Sequence, residues 1–157
     1  MATVRQLLQG KGYEVACIEP DKSVYEAMQL MADKNVGALL VLQDGKLVGI
    51  ITERDYARKA YRLDKSAKDI LVREMMTTQV AYVNPDYLTE DCMALVTEMR
   101  VRHLPVLENN EVVGIISIGD LVKDAISGQE FVIHELERYI YGEFANPNTA
   151  EYAAKYR

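Results

Sequence analysis

The sequence predicts a mixed α/β chain: two β-α-β-β-α units in tandem, with further helices at the N-terminus, between the units and at the C-terminus. Three observations carry this. Residues 20–55 and 85–120 are copies of one segment, aligned without a gap at an offset of 65, with 13 of 36 pairs identical where composition alone gives about two or three. Within each copy a helical apolar period alternates with short continuous apolar runs. A turn signal stands between paired runs, Asp44-Gly45 in the first copy and Asn109-Asn110 in the second.

Each copy opens on an expected strand, Glu14–Glu19 and Val80–Asn84. Ser23 is placed to cap a helix reaching Lys34, with Val24, Ala27, Met28 and Met31 on one face. The run Ala38–Leu42 reads as a strand covered on both sides, and Leu47–Ile51 as its return. A helix follows from near Thr52 to about Ala60. The second copy repeats the order: Thr89 as cap, a helix to Met99, strands Leu104–Leu107 and Val112–Ile116, and a helix from Ser117 to about Ile126. Ser66–Met76, with Ala67, Ile70, Leu71 and Met75, is the expected linking helix, and Phe131–Tyr141 the C-terminal one. The methionines Met28, Met31, Met93 and Met99 fall at core spacing and read as packing. One unit has too few apolar faces to close a core. The chain is therefore expected to be a single module over 1–157, with repeats at 13–62 and 78–127 and a helix and tail at 128–157.

Composition excludes several classes. Hydrophobic content of 49% and charged content of 27% fit a globular protein, and no apolar run approaches the roughly 20 residues of a membrane span. A net charge of −6 argues against a broad phosphate-tracking nucleic-acid surface. The start, MATVRQLLQGKGYE, has no secretory core or cleavage site, so a cytoplasmic location is expected, with Cys17 and Cys92 as free thiols. Triad, Cys–His, metal-ligand and Walker-type patterns are missing, and no catalytic residue or metal ligand is expected.

The chemistry lies where each copy closes, in Gly-Ile-Ile-Thr/Ser-x-x-Asp. Thr52 and Ser117 end an apolar strand and open a helix, where unpartnered backbone N–H groups and the helix dipole favour an anion. Asp55 and Asp120 stand three residues on, where a carboxylate can accept both vicinal hydroxyls of a ribose. Gly49 and Gly114 permit close approach of the backbone. The same Thr/Ser-x-x-Asp spacing is also a variant capping box, and the two roles are compatible.

The doubled closing motif, the Pro-Asp opening and the β-α-β-β-α order together resemble the CBS-domain pair, or Bateman module, over about residues 13–126. Similarity is greatest to short stand-alone bacterial pairs. The resemblance implies a non-catalytic sensor of adenosine-containing ligands, with AMP or NAD expected first and ATP or S-adenosylmethionine as further candidates. It implies a homodimer, with Ile70, Leu71, Tyr139 and Ile140 as uncovered apolar residues, and an effector protein of unknown identity. Carried over by position, one cleft joins Ser117, Asp120, Arg102 and His103 with Tyr13, Val15, Val36, Gly37 and Ala38. The other joins Thr52, Arg54 and Asp55 with Thr78, Val80, Val101 and His103. Arg102 and His103 are then placed to meet phosphate, and the basic run Thr52–Lys59 to hold further phosphates or to form a solvated helix face. The alternative is a structural dimerisation domain that has lost its ligand.

Overall fold

The computed structural model describes residues 2–141. The elements in chain order are α1 (Val4–Lys11), β1 (Cys17–Ile18), α2 (Val24–Lys34), β2 (Ala38–Gln43), β3 (Lys46–Thr52), α3 (Glu53–Leu63), α4 (Val72–Met75), α5 (Thr89–Met99), β4 (His103–Glu108), β5 (Glu111–Ser117) and α6 (Ile118–Tyr141). A first compact unit ends at Leu121; the chain from Val122, beginning with the rest of α6, forms a second.

Both hairpins form as the turn residues require. Asp44 and Gly45 both take positive φ, as do Asn109 and Asn110, which is the backbone of a two-residue hairpin turn matched to strand twist. The copies even share an irregularity, a register shift after Val41 in β2 and after Val106 in β4.

The opening strands are shorter than expected. In the first copy only Cys17 and Ile18 pair, parallel to β2. In the second the segment Val80–Asn84 is reduced to a single bridge, Val83 to Val106. The reason is Pro105. In the first copy the Leu40 amide donates to Ala16 O at 3.0 Å; its equivalent, Pro105, has no N–H to donate.

Three further expectations are corrected. The linking segment is helical only over Val72–Met75, because Leu71 is extended and bridges to Ser23 while the Ile70 carbonyl accepts the Val24 amide at 2.8 Å. The helices expected at 117–126 and 131–141 are one helix, α6, which passes through Gly128. Thr89 is also not a cap: it is the first residue of α5, buried, and Leu88 stands at the position of Ser23.

The N-terminal helix does for the second copy what α4 does for the first. Val4 N donates to Tyr87 O and Arg5 N to Pro85 O; Val72 N donates to Lys22 O and Arg73 N to Pro20 O, every acceptor at the repeat-equivalent position. Arg5 pairs with Asp86 and Arg73 with Asp21, again equivalents. Leu8 lies over Gly114 and Met76 over Gly49, so close that a Cβ on either glycine would fall within 3 Å of the covering side chain. These glycines thus receive the packed helix. Accordingly Val72, Met75 and Ile70 belong to the core of the first copy, with Leu39, Val41 and Ile51, and Val4 and Leu8 to that of the second, with Leu104, Val106 and Ile116. A third cluster, centred on Ala38, Leu40 and Ile50 with Val80, Val112 and Ile115 against it, joins the two copies. Cys17 and Cys92 are free, and burial pushes the Cys92 thiol up to about 11.

Candidate functional site

Both closing motifs form complete capping boxes. Asp55 Oδ2 accepts from Thr52 N at 2.9 Å and Thr52 Oγ1 at 3.0 Å, while Asp55 N donates to Thr52 Oγ1 at 3.1 Å. Asp120 and Ser117 repeat the arrangement at 2.7, 2.9 and 3.2 Å. The first helical amides are taken as well: Glu53 N donates to Gly37 O and Ile118 N to Arg102 O. In α3 the amide of Arg54, between these two satisfied donors, has no partner among the described residues.

A cavity of about 190 Å³ opens above Thr52 and Asp55. Its walls are Ile50 and Gly37 from the first copy and Val80, Ala81 and Val101 from the second. Arg54, Arg58, Arg100 and Arg102 converge on it. Arg100 reaches this position from a left-handed turn at the end of α5, with φ of 53°, a conformation seldom adopted by a residue with a side chain of this size. Among the described residues no carboxylate lies within ion-pairing distance of any of the four guanidiniums. Arg58 and Arg102 together hold the Arg54 pKa below its ordinary value, the signature of concentrated positive charge. His103 completes the wall. Its Nδ1 is buried without a hydrogen-bond partner. Burial, reinforced by Lys11 and Arg102 against Asp120 and Glu53, lowers its pKa.

This cavity gathers Thr52, Arg54, Asp55, Val80, Val101 and His103 as the sequence placed them, and adds Arg102 and Gly37 from the other expected set. Thr78 does not line it; its neighbours Thr77 and Gln79 do. Of the other set, Ser117 pairs with His103 across β4 and β5, and Gly37 lies against the His103 ring. Ala38 is buried in the cluster between the copies and Val15 packs against it, while Tyr13 is 53% and Val36 38% exposed. Ser117 and Asp120 meet a residue that sequence reasoning missed. Lys11 Nζ contacts Asp120 Oδ2 at 2.5 Å and Ile115 O at 2.7 Å. Burial pushes the Asp120 carboxyl up, but the bonds from Lys11 and Ser117 outweigh it and hold it below the usual range. Of the expected dimer residues, Ile70 is 1% exposed and unavailable, Tyr139 is 89% exposed, and the side chain of Ile140 lies outside the described residues.

Tandem repeats that share one pairing scheme, with a cavity at the end of the first closing strand, define a two-repeat fold with a cleft between the repeats. The model of the CBS domain matches the chain twice, over residues 11–61 and 72–126, and the chain belongs to that family. It is similar to the CBS domain-containing protein CBSX3, mitochondrial, of Arabidopsis thaliana, 37% identical over 79% of this chain but only 63% of that protein. It is 34% identical to the CBS domain-containing protein YhcV of Bacillus subtilis over 74% of this chain and 82% of that protein. Among solved structures, the CBS domain of NE2398 is 64% identical with a TM-score of 0.79, covering 80% of this chain and 99% of that one. The structure of CBSX2 in complex with AMP is 25% identical with a TM-score of 0.68, covering 82% and 99%. No helix among the described residues is long and apolar enough to cross a membrane.

Proposed function

We propose that the chain is a non-catalytic regulatory module that binds an adenosine phosphate in the Thr52/Asp55 cleft. One observation carries this reading: four arginines without carboxylate partners converge on a cavity in a chain whose net charge is −6. With Glu53 and Asp55 also in the lining, the cavity still holds an excess of positive charge against the sign of the whole chain, which is costly unless an anion meets it. The free Arg54 amide at a helix N-terminus and the arginine forks suit phosphate oxygens. In this reading Asp55 accepts the ribose hydroxyls, and the buried His103 Nδ1 offers one more polar contact. At about 190 Å³ the cavity is small for a ligand site, so it takes the nucleoside while the phosphates lie among the arginines at its rim. AMP, ATP and NAD fit this charge pattern. S-adenosylmethionine, a sulfonium cation, fits it poorly. The AMP complex of CBSX2 supports the ligand class.

The test is thermal unfolding with AMP, ATP, NAD and their guanosine counterparts. A ligand present at 100 times its dissociation constant adds about 2.7 kcal/mol, which for a chain of this size raises the midpoint by about 5–10 °C. No shift with any adenosine ligand at millimolar concentration refutes the reading.

The second part of the proposal is a homodimer through α6. Val122, Ile126, Ile133 and Leu136 are exposed and recur at spacings of four, seven and three, the a/d pattern of a helical seam, interrupted only by Gln129. A seam of this kind is self-complementary, so the partner it fits is a second copy.

A further inference from the structure

We propose that the chain binds one nucleotide, not two, and that Lys11 is the residue that closes the second cleft. The proposal rests on the adenosine-phosphate reading of the first cleft. The clefts are built alike, with the same capping box and the same carbonyl at the first helical amide. They differ in what reaches the aspartate. Lys59, from the same helix as Asp55, pairs with its Oδ1 at 3.1 Å and donates to Met75 O, and the cavity stays open. Asp120 is met from outside its helix, by Lys11. That ammonium also binds the carbonyl of Ile115, whose equivalent in the first copy, Ile50 O, takes the backbone amide of Thr77 instead. Lys11 therefore brings to the aspartate of the second cleft a cation from a distant segment that the first cleft does not receive.

The asymmetry has a covalent origin. Val4 and Val72 are equivalent at an offset of 68, but Tyr13 and Thr78 at 65, so the first copy carries three extra residues between its leading helix and its first strand. Within this longer segment α1 runs to eight residues, against four in α4, and Lys11 is its last residue. The pair is not a fully solvated surface contact: the Lys11 side chain is 32% and that of Asp120 24% exposed. A ribose entering this cleft exchanges two bonds made by an ammonium for two made by neutral hydroxyls, and charge-assisted bonds are the stronger kind.

Calorimetric titration of the full chain with ATP decides this. Wild type should bind one ATP per chain, lost in Asp55→Ala. Lys11→Ala should bind two, returning to one in Lys11→Ala/Asp120→Ala. The first site also reports folding, so a Lys11→Ala chain that binds none gives Lys11 a structural role and overturns the proposal. Two sites in wild type, or one in Lys11→Ala, overturn it while leaving the ligand reading intact. No binding by any form removes the ligand reading itself. A second arm needs no nucleotide: acetylation followed by mass spectrometry should modify Lys11 more slowly than Lys22 and Lys65, whose side chains are 51% and 52% exposed. Equal rates contradict closure by Lys11.

Discussion

Replacing Arg102 with alanine separates phosphate recognition from nucleoside recognition. Arg102 lies on the exposed β4-side rim of the cavity, beside Arg54, Arg58 and Arg100. At about 6 Å a unit charge pair is worth about 0.7 kcal/mol in water and about 2.8 kcal/mol at an effective dielectric constant of 20. The exposed position favours the lower end, and one hydrogen bond between charged groups raises it to about 1.5 kcal/mol, roughly a factor of ten in affinity. AMP should therefore bind Arg102→Ala about tenfold more weakly, while adenosine, which carries no phosphate, should change less than about twofold. The effect should shrink in salt, since the screening length falls from about 10 Å at 0.1 M to about 3 Å at 1 M and weakens the wild-type contact first. Calorimetry with AMP and adenosine, at both salt concentrations, measures all four affinities. Equal losses for the two ligands would refute the assignment, because a residue that reads phosphate has nothing to read in adenosine.

Leu8→Ala should destabilise the chain by about 2–5 kcal/mol in urea unfolding, since Leu8 is fully buried in the core of the second copy; a loss below about 1 kcal/mol would mean that α1 is an ornament on that core. His103 has a folded pKa below its ordinary value near 6.5, so the unfolded chain takes up the proton first and stability should fall as pH drops from about 7 toward 5; His103→Gln should flatten that slope, and an unchanged slope assigns it elsewhere. Leu136→Glu places a charge in the exposed seam of α6 and should convert the dimer to an 18 kDa monomer by light scattering, where the mass of one chain is 17.8 kDa; a wild-type monomer at micromolar concentration removes the dimer altogether.

The hairpins were legible because Asp44-Gly45 and Asn109-Asn110 state their backbone conformation locally. The closing motifs were legible because Thr52-x-x-Asp55 and Ser117-x-x-Asp120 are local too, and the capping boxes follow from them; the cavity at Asp55 depends on distant segments around Val80 and Arg102. The opening strands were not, since pairing of Val80–Asn84 depends on whether a distant residue, Pro105, can donate. Thr89 was misplaced although the repeat itself matched Leu88 to Ser23; local cap chemistry was preferred to register. Lys11 was missed because its partner, Asp120, is 109 positions away. A signal existed: TVRQLL and LVREMM are a further pair of repeat elements, and the change of offset after them marks the three residues that carry Lys11 into the second cleft.

The docking of α1 on the second copy gives the first compact unit a closed circuit of contacts, in which the start of the chain seals the half that is made last. During synthesis the second copy's core is finished only by a segment made before it, so Val4 and Leu8 wait for more than about a hundred residues, until Gly114 and Ile116 are made, before they are buried. Cutting the chain between Lys11 and Tyr13 would separate α1 from the first copy without breaking any bond it makes to the second. The peptide 2–11, added to a chain that begins at residue 13, should then rebuild the missing part of the core in trans, and with it deliver Lys11 to Asp120 as a removable plug.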